Sequence, residues 1–143
     1  MTDAPQSYPT VRLIPKAEAR AIRHGFPWVY ANEMVMDRRT RALTPGTLAV
    51  LEDAERRPMG VVTVNPASKI AARVMDADPQ ARIDAAWVAA RLARAAAHRA
   101  RLYDAPYYRL VHAEADGLPG LVVDLFGETA VMQPNAAWAE ALA

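Results

Sequence analysis

Residues 45–76 read PGTLAVLEDAERRPMGVVTVNPASKIAARVMD, three short apolar runs separated by turn signals. Pro45-Gly46 is a turn signal, and TLAVLED after it alternates apolar and polar residues as a half-buried strand does. AERRP is a second turn, MGVVTVN a second strand and SKIAARVMD a third. The β-branched residues in these runs suit a pleated, partly buried surface. Short strands punctuated this closely by turns predict a small β-barrel.

Toward the N-terminus, VRLIP (11–15) reads as a further strand and KAEARAIRHG (16–25) as a short helix closed by Gly25. Glycine is the usual residue just past a helix end, and Arg20, Arg23 and His24 would lie where cations meet the negative end of the helix dipole. Pro27 fixes an extended entry into a strand at Trp28, Val29 and Tyr30, and DRRTRALT (37–44) reads as a polar, basic loop. The barrel is expected over residues 9–77, behind a flexible tail at 1–8.

The texture changes at DADPQ (76–80), where Asp78 can cap a helix and Pro79 can take its first position. From Ala81 to Tyr103 the chain is alanine-rich and free of Gly and Pro, which predicts one long helix. Arg91, Arg94, His98 and Arg101 share one stripe of it; Val88, Leu92, Ala95 and Leu102 mark an apolar stripe that Arg99 interrupts. Then come three strand candidates, YRLVHAEAD, LVVDLFG and TAVMQ, with DGLPG turning the chain between the first two, and AAWAEALA begins a last helix. A helix plus a three-strand meander is a small α+β unit. It is expected to be a partial domain, residues 78–143, incomplete at its C-terminal end because so short a unit buries little of its surface.

The 143 residues carry 17 Lys+Arg against 16 Asp+Glu, a formal charge of +1. Divided along the chain, that total resolves into two basic blocks, 12–41 and 82–111, and an acidic stretch from 112 onward. All but two of the basic residues are Arg, whose planar fork suits phosphate and stacks on bases. Zero cysteine excludes a disulfide framework, a thiolate zinc site and a Cys nucleophile from these residues. No apolar run nears the ~20 residues a membrane helix needs, and the start MTDAPQSYPT lacks the pattern of a secretory signal. The expected location is the cytoplasm, with no membrane partner.

Several catalytic patterns fail on inspection. His112-Ala113-Glu114 matches the H-x-E half of a zinc deaminase signature, but the other half needs cysteines. Glu114, Asp116 and Asp124 could form a carboxylate cluster, although Asp116 beside Gly117 reads first as a turn residue. The six glycines form neither G-x-G-x-x-G nor a P-loop. What stands out is the first basic block. Lys16, Arg20 and Arg23, four and three residues apart, are expected on one helix face, next to His24, Phe26 and Trp28. Cations mixed with rings suit phosphate contacts and base stacking. The competing reading puts the rings in the barrel core, and for Trp28 core is the expectation.

GFPWVYANEM, PGTLAVLED and MGVVTVNPASKIAARVMD together resemble the N-terminal PUA domain of the bacterial class I SAM-dependent 23S rRNA cytosine-C5 methyltransferases. YYRLVHAEADGLPGLVVDLFGETAVMQ resembles the opening of the central domain of the same family, where a strand, a GLPG turn and a second strand recur, and it is the more specific of the two motifs. The chain departs from the family in having Pro15-Lys16 before the first helix, where Lys-Gly is frequent, and Phe26 where His is common.

The resemblance implies a PUA-like barrel followed by part of an α+β domain, acting as the RNA-engaging front of an rRNA methyltransferase. It implies 23S rRNA as partner, and with the clustered charge it makes Lys16, Arg20, Arg23, Arg38, Arg39 and Arg41 the expected phosphate contacts, with His24 and Lys69 nearby. It further implies S-adenosylmethionine as the cofactor of the full-length protein, held by a Rossmann-like C-terminal methyltransferase domain that is missing here. No cofactor is expected on this chain, and the chain is expected not to be catalytic by itself. The alternatives are a stand-alone RNA- or protein-binding module, or a non-functional gene fragment.

Overall fold

The computed structural model describes residues 8–141. The expected tail at 1–8 therefore lies outside the described residues except for Tyr8, as do the last two residues of the expected C-terminal helix. The chain divides into two compact units, Met1–Arg82 and Ile83–Ala143.

The first unit runs β1 (Thr10–Arg12), α1 (Ala19–Arg23), β2 (Trp28–Tyr30), a 3-10 turn at Ala31–Glu33, α2 (Arg38–Arg41), β3 (Thr47–Glu52), β4 (Pro58–Val64) and β5 (Ile70–Asp76). Its sheet has the order β1-β3-β4-β5-β2, with β1 parallel to β3 and every other pair antiparallel. Past the end of β1, Leu13 bridges Met34, Ile14 N–H donates to Glu33 C=O (2.8 Å) and Val35 N–H donates to Arg12 C=O (2.8 Å). These bonds bring the chain following one outer strand against the chain following the other, which curls the sheet into a half-barrel. Val11, Leu13, Val29, Leu51, Val62 and Val64 fill it, joined by Ile22 of α1. The central strand β4 is buried continuously from Gly60 to Val64, as expected of a strand flanked on both sides.

Two local expectations fail here. The helix expected from Lys16 begins only at Ala19, because Pro15 and Lys16 are spent in a turn in which Ala17 N–H reaches Ile14 C=O (3.1 Å). The polar loop at 37–44 contains a helical turn, α2, whose N-terminus Asp37 caps by accepting from Thr40 N–H (2.8 Å). That bond also holds the Asp37 carboxyl below its ordinary pKa.

The second unit contains α3 (Ala85–Ala100), β6 (Tyr107–His112), a 3-10 turn at Ala113–Asp116, β7 (Leu121–Phe126), β8 (Thr129–Pro134) and α4 (Ala137–Glu140). The three strands form an antiparallel meander in the order β6-β7-β8. α3 is shorter than the expected 81–103. Its cap is Asp84, which accepts from Trp87 N–H (2.9 Å), whereas Asp78 accepts from Gln80 N–H (2.9 Å) in a separate turn. The first strand also ends early, at His112, because the chain folds into the turn that precedes Gly117. Arg99 interrupts the apolar stripe for a structural reason: it reaches Asp116 (2.7 Å) and the Arg109 carbonyl (3.0 Å).

The DGLPG turn is held at several points. Glu114 Oε1 accepts from Gly120 N–H (2.7 Å), Asn135 N–H donates to Gly120 C=O (2.7 Å), and the Trp138 indole N–H donates to Pro119 C=O (2.7 Å). Gly120 has φ +73°, a left-handed backbone that favours glycine.

Candidate nucleic-acid interface

The first unit carries an open cleft of about 470 Å³ lined by Tyr30, Ala31, Asn32 and Lys69. It exists because the 3-10 turn after β2 meets the start of β5: Ala31 N–H donates to Lys69 C=O (2.8 Å). Glu33 fixes the turn by accepting from Tyr30 N–H (3.1 Å). Lys69 and Asn32 are exposed, so an ammonium and an amide stand beside the Tyr30 ring at a concave surface.

The rings around the cleft form a group. Phe26 lies 6.2 Å from Tyr30 and 6.4 Å from Trp28, centroid to centroid, and the Arg73 guanidinium sits 5.8 Å from the Trp28 ring centre. Strand alternation explains the arrangement. In β2, Val29 is fully buried in the half-barrel, which turns Trp28 and Tyr30 to the other face. Trp28 is therefore half-buried outside the core rather than inside it, against the expectation, and Phe26 is 41% exposed. The Trp28 indole N–H is buried without a hydrogen-bond partner among the described residues.

The cations expected to bind RNA are scattered more widely than their spacing suggests. Lys16 is exposed in the turn before α1, so it does not share a helix face with Arg20 and Arg23. Arg20 is exposed on α1, and His24 is exposed at its C-terminal cap. Arg23 is engaged with Asp53 at 2.6 Å. Asp53 is buried and also accepts from the backbone N–H groups of Glu55 and Arg57 (both 2.9 Å). The Arg57 N–H first, then the Arg23 guanidinium, hold its carboxyl at a pKa of about 2 against the opposing effect of burial. Arg38, Arg39 and Arg41 are exposed on α2, where Arg39 also donates to Thr10 C=O (2.8 Å). Of the eight candidates, Lys69 alone lines the cleft.

Tyr30, Asn32 and Arg73 were not singled out by the sequence. Their one cue was the aromatic alternation Phe26-Trp28-Tyr30, which puts three rings on one side of an extended segment.

The carboxylates of the second unit serve separate contacts. Asp116 accepts from Arg99 and from His112 N–H (2.6 Å), Glu114 from Gly120 N–H, and Asp124 from Arg109 (2.9 Å). The Arg109 hydrogen bond holds Asp124 below its ordinary pKa. Among the described residues, no three metal-ligating side chains gather, and no helix is long and apolar enough to cross a membrane.

Comparison with known proteins bears on the first unit directly, since residues 11–77 match the family of PUA-like domains. The half-barrel is a PUA-like domain. The chain that carries it is homologous to ribosomal RNA large subunit methyltransferases. It is 38% identical over 147 residues to the ribosomal RNA large subunit methyltransferase of Deinococcus radiodurans, covering 96% of this chain and 36% of that protein. It is 33% identical over 135 residues to the ribosomal RNA large subunit methyltransferase I of Cronobacter sakazakii, covering 92% of this chain and 34% of that protein. The chain thus spans about a third of the length of these curated relatives, and it resembles their N-terminal PUA portion.

Among solved structures, a Streptococcus mutans protein assigned as a SAM-dependent methyltransferase matches with a TM-score of 0.75 at 11% identity, over 94% of this chain and 35% of its own. Another assigned methyltransferase, complexed with SAH, matches with a TM-score of 0.74 at 11% identity, over 96% and 34%. At that identity the likeness is one of fold.

Proposed function

We propose that the PUA-like domain binds ribosomal RNA and holds an unstacked nucleotide in the cleft at Tyr30, Asn32 and Lys69. The observation that carries this reading is the cleft itself, where a ring face, an amide and an ammonium converge. A base can stack on Tyr30 and its neighbour Phe26, Asn32 can pair with a base edge, and Lys69 can meet the adjoining phosphate. Lys16, Arg20, His24, Arg38, Arg39 and Arg41 supply further phosphate contacts, and Arg23 does so only as far as Asp53 releases it.

In this proposal the barrel at 9–77 and the partial central domain at 78–143 form the front of a cytoplasmic, SAM-dependent enzyme that methylates cytosine C5 in 23S rRNA. The relatives' names support the ribosomal RNA substrate. The residues present do not fit a methyl-donor site. The six glycines form no strand-to-helix phosphate or nucleotide loop, and there is no cysteine to attack the pyrimidine ring. Methyl transfer is therefore assigned to the remainder of a longer protein, and these residues bind and orient.

Binding of the chain to a fluorescent single-stranded rRNA fragment tests the reading. Stacking on one ring contributes ~1–3 kcal/mol per base, so Tyr30→Ala is expected to weaken affinity roughly 5- to 150-fold. Lys69→Ala is expected to lower the slope of log K against log salt by about 0.7. Unchanged affinity in both variants would remove the cleft from the RNA site.

A further inference from the structure

The long helix of the second unit carries a charge pattern that packing does not account for. Residues 85–103 contain four Arg and one His and no acidic residue. A helix face that merely meets water is usually laced with opposite charges at i, i+4, which stabilise it. Here no acidic residue stands four positions from any of the cations along the helix. Two of them are used inward: Arg99 pairs with Asp116, and Arg91 lies 4.4 Å from the Trp87 ring centre and donates to Gly117 C=O (3.3 Å).

Arg94, His98 and Arg101 remain, with the Arg94 guanidinium beside the Gly117 turn next to Arg91. They are four and three residues apart, which sets them in one row, and all three are exposed. Their side chains make no hydrogen bond or ion pair among the described residues. The helix dipole favours cations in the last turn, which suits His98 and Arg101, but its effect fades before Arg94. Alongside the row lie Ala86, Ala90, Ala93 and Ala97, all exposed. That flank is flat, so a bulky polyanion can approach the helix backbone closely. The row covers about 10 Å of helix, close to the axial length of three nucleotides at about 3.4 Å each. An amphipathic helix that inserts into lipid needs large apolar residues on its free face; this face offers alanine.

We propose that Arg94, His98 and Arg101 form a second RNA-binding surface, which takes the phosphates of about three consecutive nucleotides and adds to the site on the PUA-like domain. This rests on the reading that RNA is the ligand of the chain. Because the row contacts phosphate alone, it contributes affinity and salt dependence rather than sequence preference.

The test uses the whole chain, with an rRNA fragment titrated at several salt concentrations. Replacing Arg94, His98 and Arg101 together by Ala is expected to lower the salt slope by about 1.4–2.1 and to weaken binding at least tenfold near 0.1 M salt. Arg94→Lys with Arg101→Lys is expected to keep the slope, and Arg109→Ala, which removes a cation already paired with Asp124, is expected to leave it unchanged. If the triple variant loses helical circular dichroism, Arg94→Gln with Arg101→Gln is measured in its place and should lower the slope by about 1.5. An unchanged slope in the substituted row, with Tyr30→Ala still weakening binding, overturns the second surface and leaves the cleft intact. If neither set of substitutions matters, both readings fall. Phosphatidylserine vesicles supply the last arm: binding to them that matches RNA binding and is lost with the row would make the face a lipid surface and overturn the RNA assignment.

Discussion

Replacing Gly120 by Ala separates backbone conformation from packing in the turn that defines the second unit. Gly120 and Gly127 have nearly the same backbone, φ +73° and φ +67°. An L residue in that left-handed region costs ~1–2 kcal/mol, so both substitutions carry this cost. They differ in what a new Cβ would meet. At Gly127 the nearest atom is the hydroxyl of the exposed Tyr107 side chain at 3.1 Å, which can move aside. At Gly120 the Cβ would stand 2.5 Å from Ala136 Cβ and 3.1 Å from Ala136 N, in a turn pinned by Glu114, Asn135 and Trp138. Forcing a methyl group into such packing adds ~1–3 kcal/mol. Gly120→Ala is thus expected to cost ~2–5 kcal/mol and Gly127→Ala ~1–2 kcal/mol. Urea unfolding followed by tryptophan fluorescence reads the difference, because Trp138 is buried against Pro119 beside the turn. With a slope of ~1–3 kcal/mol/M, the extra cost lowers the midpoint by roughly 0.3–3 M relative to Gly127→Ala. Equal midpoints would refute the close approach of this turn to residues 135–136 as the reason for its glycine.

Two further outcomes follow from the carboxylates. Asp53 has a folded pKa of about 2, below the ordinary 3.8, so its contribution to stability is complete above about pH 4 and is lost as pH falls toward 2. Urea midpoints of Asp53→Asn are expected to be lower than wild type at neutral pH and to vary less between pH 4 and 2. Asp84→Ala is expected to cost ~0.5–2 kcal/mol as a lost helix cap, and Asp78→Ala less than about 0.5 kcal/mol, both read by thermal melting of the helical circular dichroism signal.

The strands were the legible part of the fold. β3, β4 and β5 alternate or run apolar between clear turn signals, and the structure places them side by side at the centre of the five-stranded order. Short helical elements were read poorly, because four or five residues carry no periodicity. α2 could have been found only from Asp37 standing three residues before Thr40, and α1 lost Lys16 to a proline turn. Asp78-Pro79 carries the stronger cap signal in sequence, but Asp78 closes a separate turn with Gln80 N–H, and it is Asp84 that accepts from Trp87 N–H at the start of α3. For the site, sequence gathered cations by spacing, but spacing says nothing about long-range pairing. Arg23 is held by Asp53, whereas Lys69 joins Tyr30 and Asn32 through a backbone bond between segments far apart in the chain. Trp28 was misread because hydrophobicity favours the core, while Val29 had already claimed the inward direction of a three-residue strand.

If RNA occupies the cleft of the PUA-like domain with a base against its rings, ultraviolet crosslinking of the chain to an rRNA fragment, followed by peptide mass spectrometry, will show where the base lies. Adducts are expected on the segment holding Phe26, Trp28 and Tyr30. A chain that binds the fragment but acquires its adducts only outside that segment would contradict the account.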